Sequence, residues 1–221
     1  MAKRADKAGS AGKAVRAGMT TRSGQTVRAG PRGEHDRDAF VALTVAAAER
    51  LVRADGLRGL GMRPLASAIG YAPNSIYNAV GDLDQVILRV NAHTLERLHA
   101  ALAAAVDAAA APRANALALA DAYLRFVAAD PRVWSLLFDH VAAPDLPFPD
   151  WYAAALSRAT DLVDGVLAPL IADPDERRRA VATLWAGLHG LASLSTSNKL
   201  AVLAPDAPGD LARLLVGRFL G

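Results

Sequence analysis

Between Pro73 and Val80 the chain sets Asn74, Ser75, Tyr77 and Asn78 around two apolar residues, Ile76 and Val80. On a helix, Ile76 and Val80 stand four apart and share one face. The four polar residues are left on the other. An Asn amide can pair with both N6 and N7 of adenine, and hydroxyls reach bases or phosphates. The chemistry on offer is hydrogen bonding to a nucleic acid rather than bond breaking.

Elsewhere chemistry-bearing residues are sparse. His93, Glu96 and His99 recur at i, i+3 and i+6 on one predicted helix. A metal would need further ligands from other helices, and no obvious set exists, so no metal site is assigned. The chain has no cysteine, which excludes a disulfide framework, a thiolate nucleophile and a Cys-based zinc site. No Gly-rich phosphate loop follows a strand, and no nucleophile motif is present. No catalytic residue and no cofactor is expected, so the chain does not read as an enzyme.

Most aromatic residues fall in the C-terminal half: Tyr123, Phe126, Trp134, Phe138, Trp151, Tyr152 and Trp185. Each alone reads as core filler. Tyr123, Phe126, Trp134, Phe138, Trp151 and Trp185 are expected to line a mostly apolar ligand cavity, with the loop 144–149 as its mouth. His189 follows Trp185 by four residues and shares its helical face. It is either a donor to a ligand or a satisfied core or interface histidine. Gly187 and Gly190 weaken that helix and point to close helix–helix approach.

The elements that must position these residues are helical throughout, and the fold class is all-α. Asp36–Asp55 forms a first helix with Phe40, Leu43, Ala47 and Leu51 as its apolar stripe. Met62–Ile69 comes next, with Leu65, Ala66 and Ile69 inward, and Gly70 suits the left-handed turn that ends it. Pro73 suits the first turn of the next short helix, about 73–80. Two short helices joined by a tight turn, the second with polar side chains outward, form a helix-turn-helix reader of the major groove. Asp82 caps a long helix running to about Ala110. Further helices are predicted over 113–129, a short stretch from Asp130-Pro131, 150–171, 174–199 and 209–220. The three prolines in 143–149 require a loop.

The chain has 221 residues, 52% of them apolar and 21% charged, enough to bury a sizeable core. No uninterrupted apolar stretch is long enough for a bilayer, and no secretory signal is seen, so a cytoplasmic location is expected with no membrane partner. Residues 1–33 carry eight basic side chains against Asp6 alone. The net charge is only +3, so the remainder is mildly acidic. That first segment has almost no large apolar residue and reads as a disordered basic arm. It is either a phosphate-attracting arm or a solvated tail. Beyond it lie a helix-turn-helix domain, 34–81, and a larger helical domain, 82–221.

From about Phe40 to Val90 the pattern resembles the TetR family of bacterial transcriptional repressors. The stretches AERLVRADGLRGL and MRPLASAIGYAPNSIYNAVGDLDQVI carry it. Arg63-x-Leu65-Ala66-x-x-x-Gly70, Pro73-x-x-Ile76-Tyr77 and Leu83-Asp84-x-Val86-Ile87 fall at the family's spacing. Farther on, LWAGLHGLASL with Trp185, His189 and Gly190 is similar to the Trp-His-Gly signature of one C-terminal subgroup.

The resemblance implies a homodimer paired through the helices around 150–171 and 174–199, and an effector cavity in each C-terminal domain. Tyr77 matches a phosphate-contacting tyrosine, while Asn74, Ser75 and Asn78 match DNA-facing positions. Two positions depart. Gly61 replaces the usual hydroxyl cap, and Leu83, between Asp82 and Asp84, replaces a phosphate-binding lysine. Arg63, Arg58 or the basic arm would compensate. The expected function is a repressor released from a double-stranded, pseudo-palindromic operator by a small, mostly apolar effector. The alternative is a helical small-molecule carrier or enzyme that uses the same cavity without DNA.

Overall fold

Helix α1 (Pro31–Asp55) opens the computed structural model, which describes residues 31–139 and 148–221, with side chains from Asp36 onward. It begins five residues before the sequence-predicted start. Residues 31–33, expected in the basic arm, are therefore helical, and the rest of that arm lies outside the described residues. The stripe of α1 is also shifted. Thr44, Val45, Ala48 and Val52 are buried with Ala47, whereas Leu43 is 41% exposed. Helices α2, α3, α4 and α6 all pack on α1, so its buried face is wider than a single i, i+4 row.

A 3-10 turn (Leu57–Gly59) leads to α2 (Met62–Ile69) and α3 (Pro73–Ala79). Gly70 ends α2 at φ +74°, a conformation other residues adopt only with strain, and its N–H returns to the Ala66 and Ser67 carbonyls. Ala72 is extended, the conformation favoured before a proline, and Pro73 occupies the first turn of α3.

Helix α4 (Leu83–Ala103) starts at Asp82, whose carboxylate accepts the Gln85 N–H at 2.9 Å. It was expected to reach Ala110 but stops at Ala103. The buried Asn115 accounts for this. Its Oδ1 accepts the Asp107 N–H (2.9 Å) and its amide donates to the Asp107 carbonyl (2.8 Å). Those bonds hold a turn against the helix preference of the alanine run. After it come α5 (Pro112–Ala129), α6 (Pro131–Asp139), α7 (Asp150–Leu167), α8 (Pro174–Thr196), α9 (Leu200–Leu203) and α10 (Pro208–Phe219). Helices α7 and α8 end earlier than their predicted limits of 171 and 199, and α9 was not foreseen. No strand occurs among the described residues, and no helix among them is long and apolar enough to cross a membrane.

Two main cores form. One joins α1 to α4 around Val52, Leu65, Ile76 and Ile87. The other joins α4, α5, α7, α8 and α10 around Leu98, Leu119, Leu184 and Val216. Helix α6 enters both, with Val133 and Leu136 in the first and Trp134 in the second. Helices α8 and α10 meet at Gly187, where an added Cβ would stand 2.7 Å from Leu215 Cδ2. Gly187 thus serves close approach within the chain, while nothing crowds Gly190.

Candidate functional site

The outward face of α3 is set by its inward one. Ile76 is fully buried and Val80 nearly so. The same turn leaves Asn74, Tyr77 and Asn78 exposed and Ser75 and Pro73 half-buried. Arg63 is exposed on the neighbouring α2. The C-terminal end of α3 is held from α1: Arg37 donates through Nε (3.2 Å) and a terminal nitrogen (3.1 Å) to the Ala79 carbonyl. Tyr71, in the turn, meets Phe40 edge-on at 4.9 Å. Neither clamp was foreseen, because both join residues far apart in sequence. Leu83 packs against the N-terminal core, which accounts for an apolar residue there.

In the C-terminal half a cavity of about 70 Å³ lies between α4, α5, α7, α8 and α10. Of the residues expected to line it, Tyr123 and Trp185 do. Phe126, Trp134, Phe138 and His189 instead form a cluster behind Tyr123. Trp134 meets Tyr123 and Phe126 edge-on at 5.5 and 5.9 Å, and Phe138 stacks on His189 at 3.9 Å. His189 Nδ1 lies 3.3 Å from the Tyr123 hydroxyl and 3.4 Å from the Trp134 N–H. Burial lowers the His189 pKa. Burial also pushes the Tyr123 phenol above its ordinary range, partly offset by hydrogen bonds to Trp185 and Trp134. Trp151 is a correction. It sits at the start of α7, 36% exposed, with the Arg89 guanidinium 5.1 Å from its ring centre. Its place in the first turn turns it toward α4 and solvent rather than the cavity. Residues 144–147 of the expected cavity mouth lie outside the described residues.

Leu98, Leu119, Val163 and Leu184, none singled out from sequence as ligand contacts, make much of the wall. Helix periodicity does not separate a cavity wall from a filled core, since both give the same apolar row.

The sequence model of the tetracyclin repressor-like C-terminal domain matches residues 116–219. Residues 116–219 are thus similar to the C-terminal domain of TetR-type repressors. Solved structures agree on the fold around it. A protein of unknown function from Rhodococcus sp. RHA1 superposes with a TM-score of 0.69 at 23% identity, covering 89% of this chain and 97% of that one. A protein from Shewanella sp. PV-4, assigned to the TetR family of transcription regulators, gives 0.60 at 13%, covering 80% and 95%. FadR from Bacillus subtilis, solved with stearoyl-CoA, gives 0.61 at 11%, covering 81% and 97%. At these identities the likeness is one of fold. No curated protein matches the chain.

The TetR-type frame places a charge network between its two halves. Glu49 on α1 is 5% exposed. It takes an Arg53 nitrogen at 2.9 Å, His93 Nδ1 at 2.6 Å and Arg97 at 3.8 Å. Arg53 also meets Asp130, ahead of α6, at 2.6 Å. Arg132 donates to the Arg53 carbonyl at 2.8 Å and to that of Ala54. His93 is therefore engaged with Glu49, and no cluster of three His, Asp or Glu suited to a metal occurs among the described residues.

Proposed function

We propose that this chain is a DNA-binding transcriptional regulator: a homodimeric repressor that leaves a pseudo-palindromic operator when a small, mostly apolar ligand fills the cavity. The outward face of α3 carries the reading. Asn74, Tyr77 and Asn78 are exposed on a helix whose other side is fixed by Ile76. A polar helix face held in this way suits the major groove, with Arg63 beside it for phosphate. Residues 34–81 would form the reading domain, 82–221 the ligand and dimer domain, and 1–33 an arm over the phosphate backbone.

The dimer seam fits α8 and α10 better than the expected pair, α7 and α8. Helix α7 spends its apolar side on α4, α5 and α8. Leu214 and Phe219 stay 56% and 40% exposed beside Leu191 and Leu211. Pairing there would present two α3 helices to major grooves about 34–36 Å apart.

A ligand shifts such a protein only by binding its two states with different affinity. Helix α6 is the natural transmitter, since Trp134 belongs to the cavity-side cluster and Val133 and Leu136 to the reading-domain core. FadR, of the same fold, was solved with stearoyl-CoA, whose acyl part supports a ligand with a long hydrocarbon portion.

Selection of bound fragments from random DNA tests it. The expected result is an enriched inverted repeat whose half-sites lie about 10–10.5 base pairs apart, or a multiple of that. Retention with no enriched sequence would refute the regulator.

A further inference from the structure

We propose, building on the reading of the cavity as an effector site, that its ligand is an uncharged, hydrocarbon-rich molecule and that anions are refused. Leu98, Leu119, Val163, Leu184 and Val216 supply one wall residue from each of the helices α4, α5, α7, α8 and α10. No Asp, Glu, Lys or Arg stands among the described wall residues.

The polar groups of the wall are already engaged. Thr160 Oγ1 donates to the Ser157 carbonyl at 2.9 Å. The Tyr123 hydroxyl lies 3.3 Å from His189 Nδ1 and is hydrogen-bonded with Trp185. The Trp134 indole N–H approaches the same Nδ1 at 3.4 Å. An indole nitrogen only donates, so Nδ1 is an acceptor without a proton and the imidazole is neutral. Arg97, which reaches the far side of this cluster, lies over Phe126 and beside Glu49.

A carboxylate entering the cavity would leave water without a counter-charge or a free donor, so desolvation dominates. A neutral chain meets an almost wholly apolar wall, the setting in which dry cavities take up hydrocarbons. The cavity of about 70 Å³ is smaller than the roughly 150 Å³ apolar cavity that takes up benzene, so a longer chain must part the walls as it enters. Ala116, Ala120 and Ala159 give the narrowest wall side chains, along α5 and α7.

The test compares ligands of one chain length. Full-length protein is loaded with the neutral reporter N-phenyl-1-naphthylamine and titrated with decanol or decanoate near neutral pH. Decanol should displace the reporter with an affinity about tenfold tighter or better than decanoate. Ala120→Leu and Ala159→Leu, which fill the cavity, should each weaken decanol binding about tenfold while the thermal transition is kept. Equal or tighter binding of decanoate overturns the proposal, as does absence of binding by both. Decanol affinity unchanged in both folded variants also overturns it, because the site would then lie elsewhere. Operator release is measured separately by anisotropy. Decanol that binds without releasing DNA sinks the regulatory reading and leaves the ligand class standing. A preference for decanoate sinks the ligand class whatever the DNA does.

Discussion

The guanidinium of Arg97 lies over the ring of Phe126, 5.8 Å from its centre. The same group stands 3.8 Å from the Glu49 carboxylate on α1. One side chain on α4 therefore touches both α1 and the aromatic cluster behind the cavity. Glu49 is the buried partner of Arg53, His93 and Arg97 together. Glu49→Gln should lower unfolding stability by about 3 kcal/mol in urea, because the facing basic groups lose their counter-charge. Combined with Arg97→Met it should show a coupling of about 0.5–1 kcal/mol. Strict additivity would mean that the two residues do not interact.

Arg37 places two donors on the Ala79 carbonyl. Arg37→Ala should weaken sequence-specific DNA binding about tenfold, since a charge-assisted bond of about 1.5–3 kcal/mol no longer fixes the end of α3. Arg37→Lys, with a single ammonium, should restore part of the loss. Fluorescence anisotropy against selected and scrambled DNA checks this. An equal loss on both would show that Arg37 contributes charge alone.

Tyr77 is 49% exposed and its hydroxyl is the only part that phenylalanine lacks. Tyr77→Phe should cost operator affinity about tenfold, as expected for a hydrogen bond to a charged phosphate. Dimer mass by light scattering should not change. Equal operator affinity for variant and parent would remove Tyr77 from the interface.

Burial lowers the His189 pKa below its ordinary value of 6.5. The unfolded chain then binds the extra proton more readily than the folded one as pH falls below that value. Stability is full above the unfolded pKa and declines as pH drops toward the folded one. His189→Asn should flatten this segment of the stability–pH curve relative to the parent. Identical slopes for both proteins, measured by urea denaturation at several pH values, would show that His189 titrates alike in both states.

Helix α3 was legible because its signals are local. Gly70, Pro73 and the Ile76–Val80 pair fall within one short stretch, and each acts through backbone geometry or periodicity. The features that escaped depend on distant partners. Arg37 and Ala79 are 42 residues apart. The end of α4 at Ala103 is imposed by Asn115, whose amide matters only once α5 has folded back. The aromatic residues were legible as a set, but not their division. Tyr123 and Trp185 reach the cavity, Phe126, Trp134, Phe138 and His189 stand behind, and Trp151 points elsewhere. Helix periodicity selects a face but does not say whether a void or a side chain fills the space before it.

Helix α6 has only nine residues, yet Val133 and Leu136 finish one core while Trp134 finishes the other. A fragment cut free at residue 81 would keep α1, α2 and α3 and still lack five side chains of their core: Val86, Ile87 and Val90 of α4 and Val133 and Leu136 of α6. The hole would expose the neighbourhood of Val52 and Ile87 to water, even if α4 were retained. Severed from α6, the head should be a poor folder, and the intact chain should melt in one cooperative step rather than two.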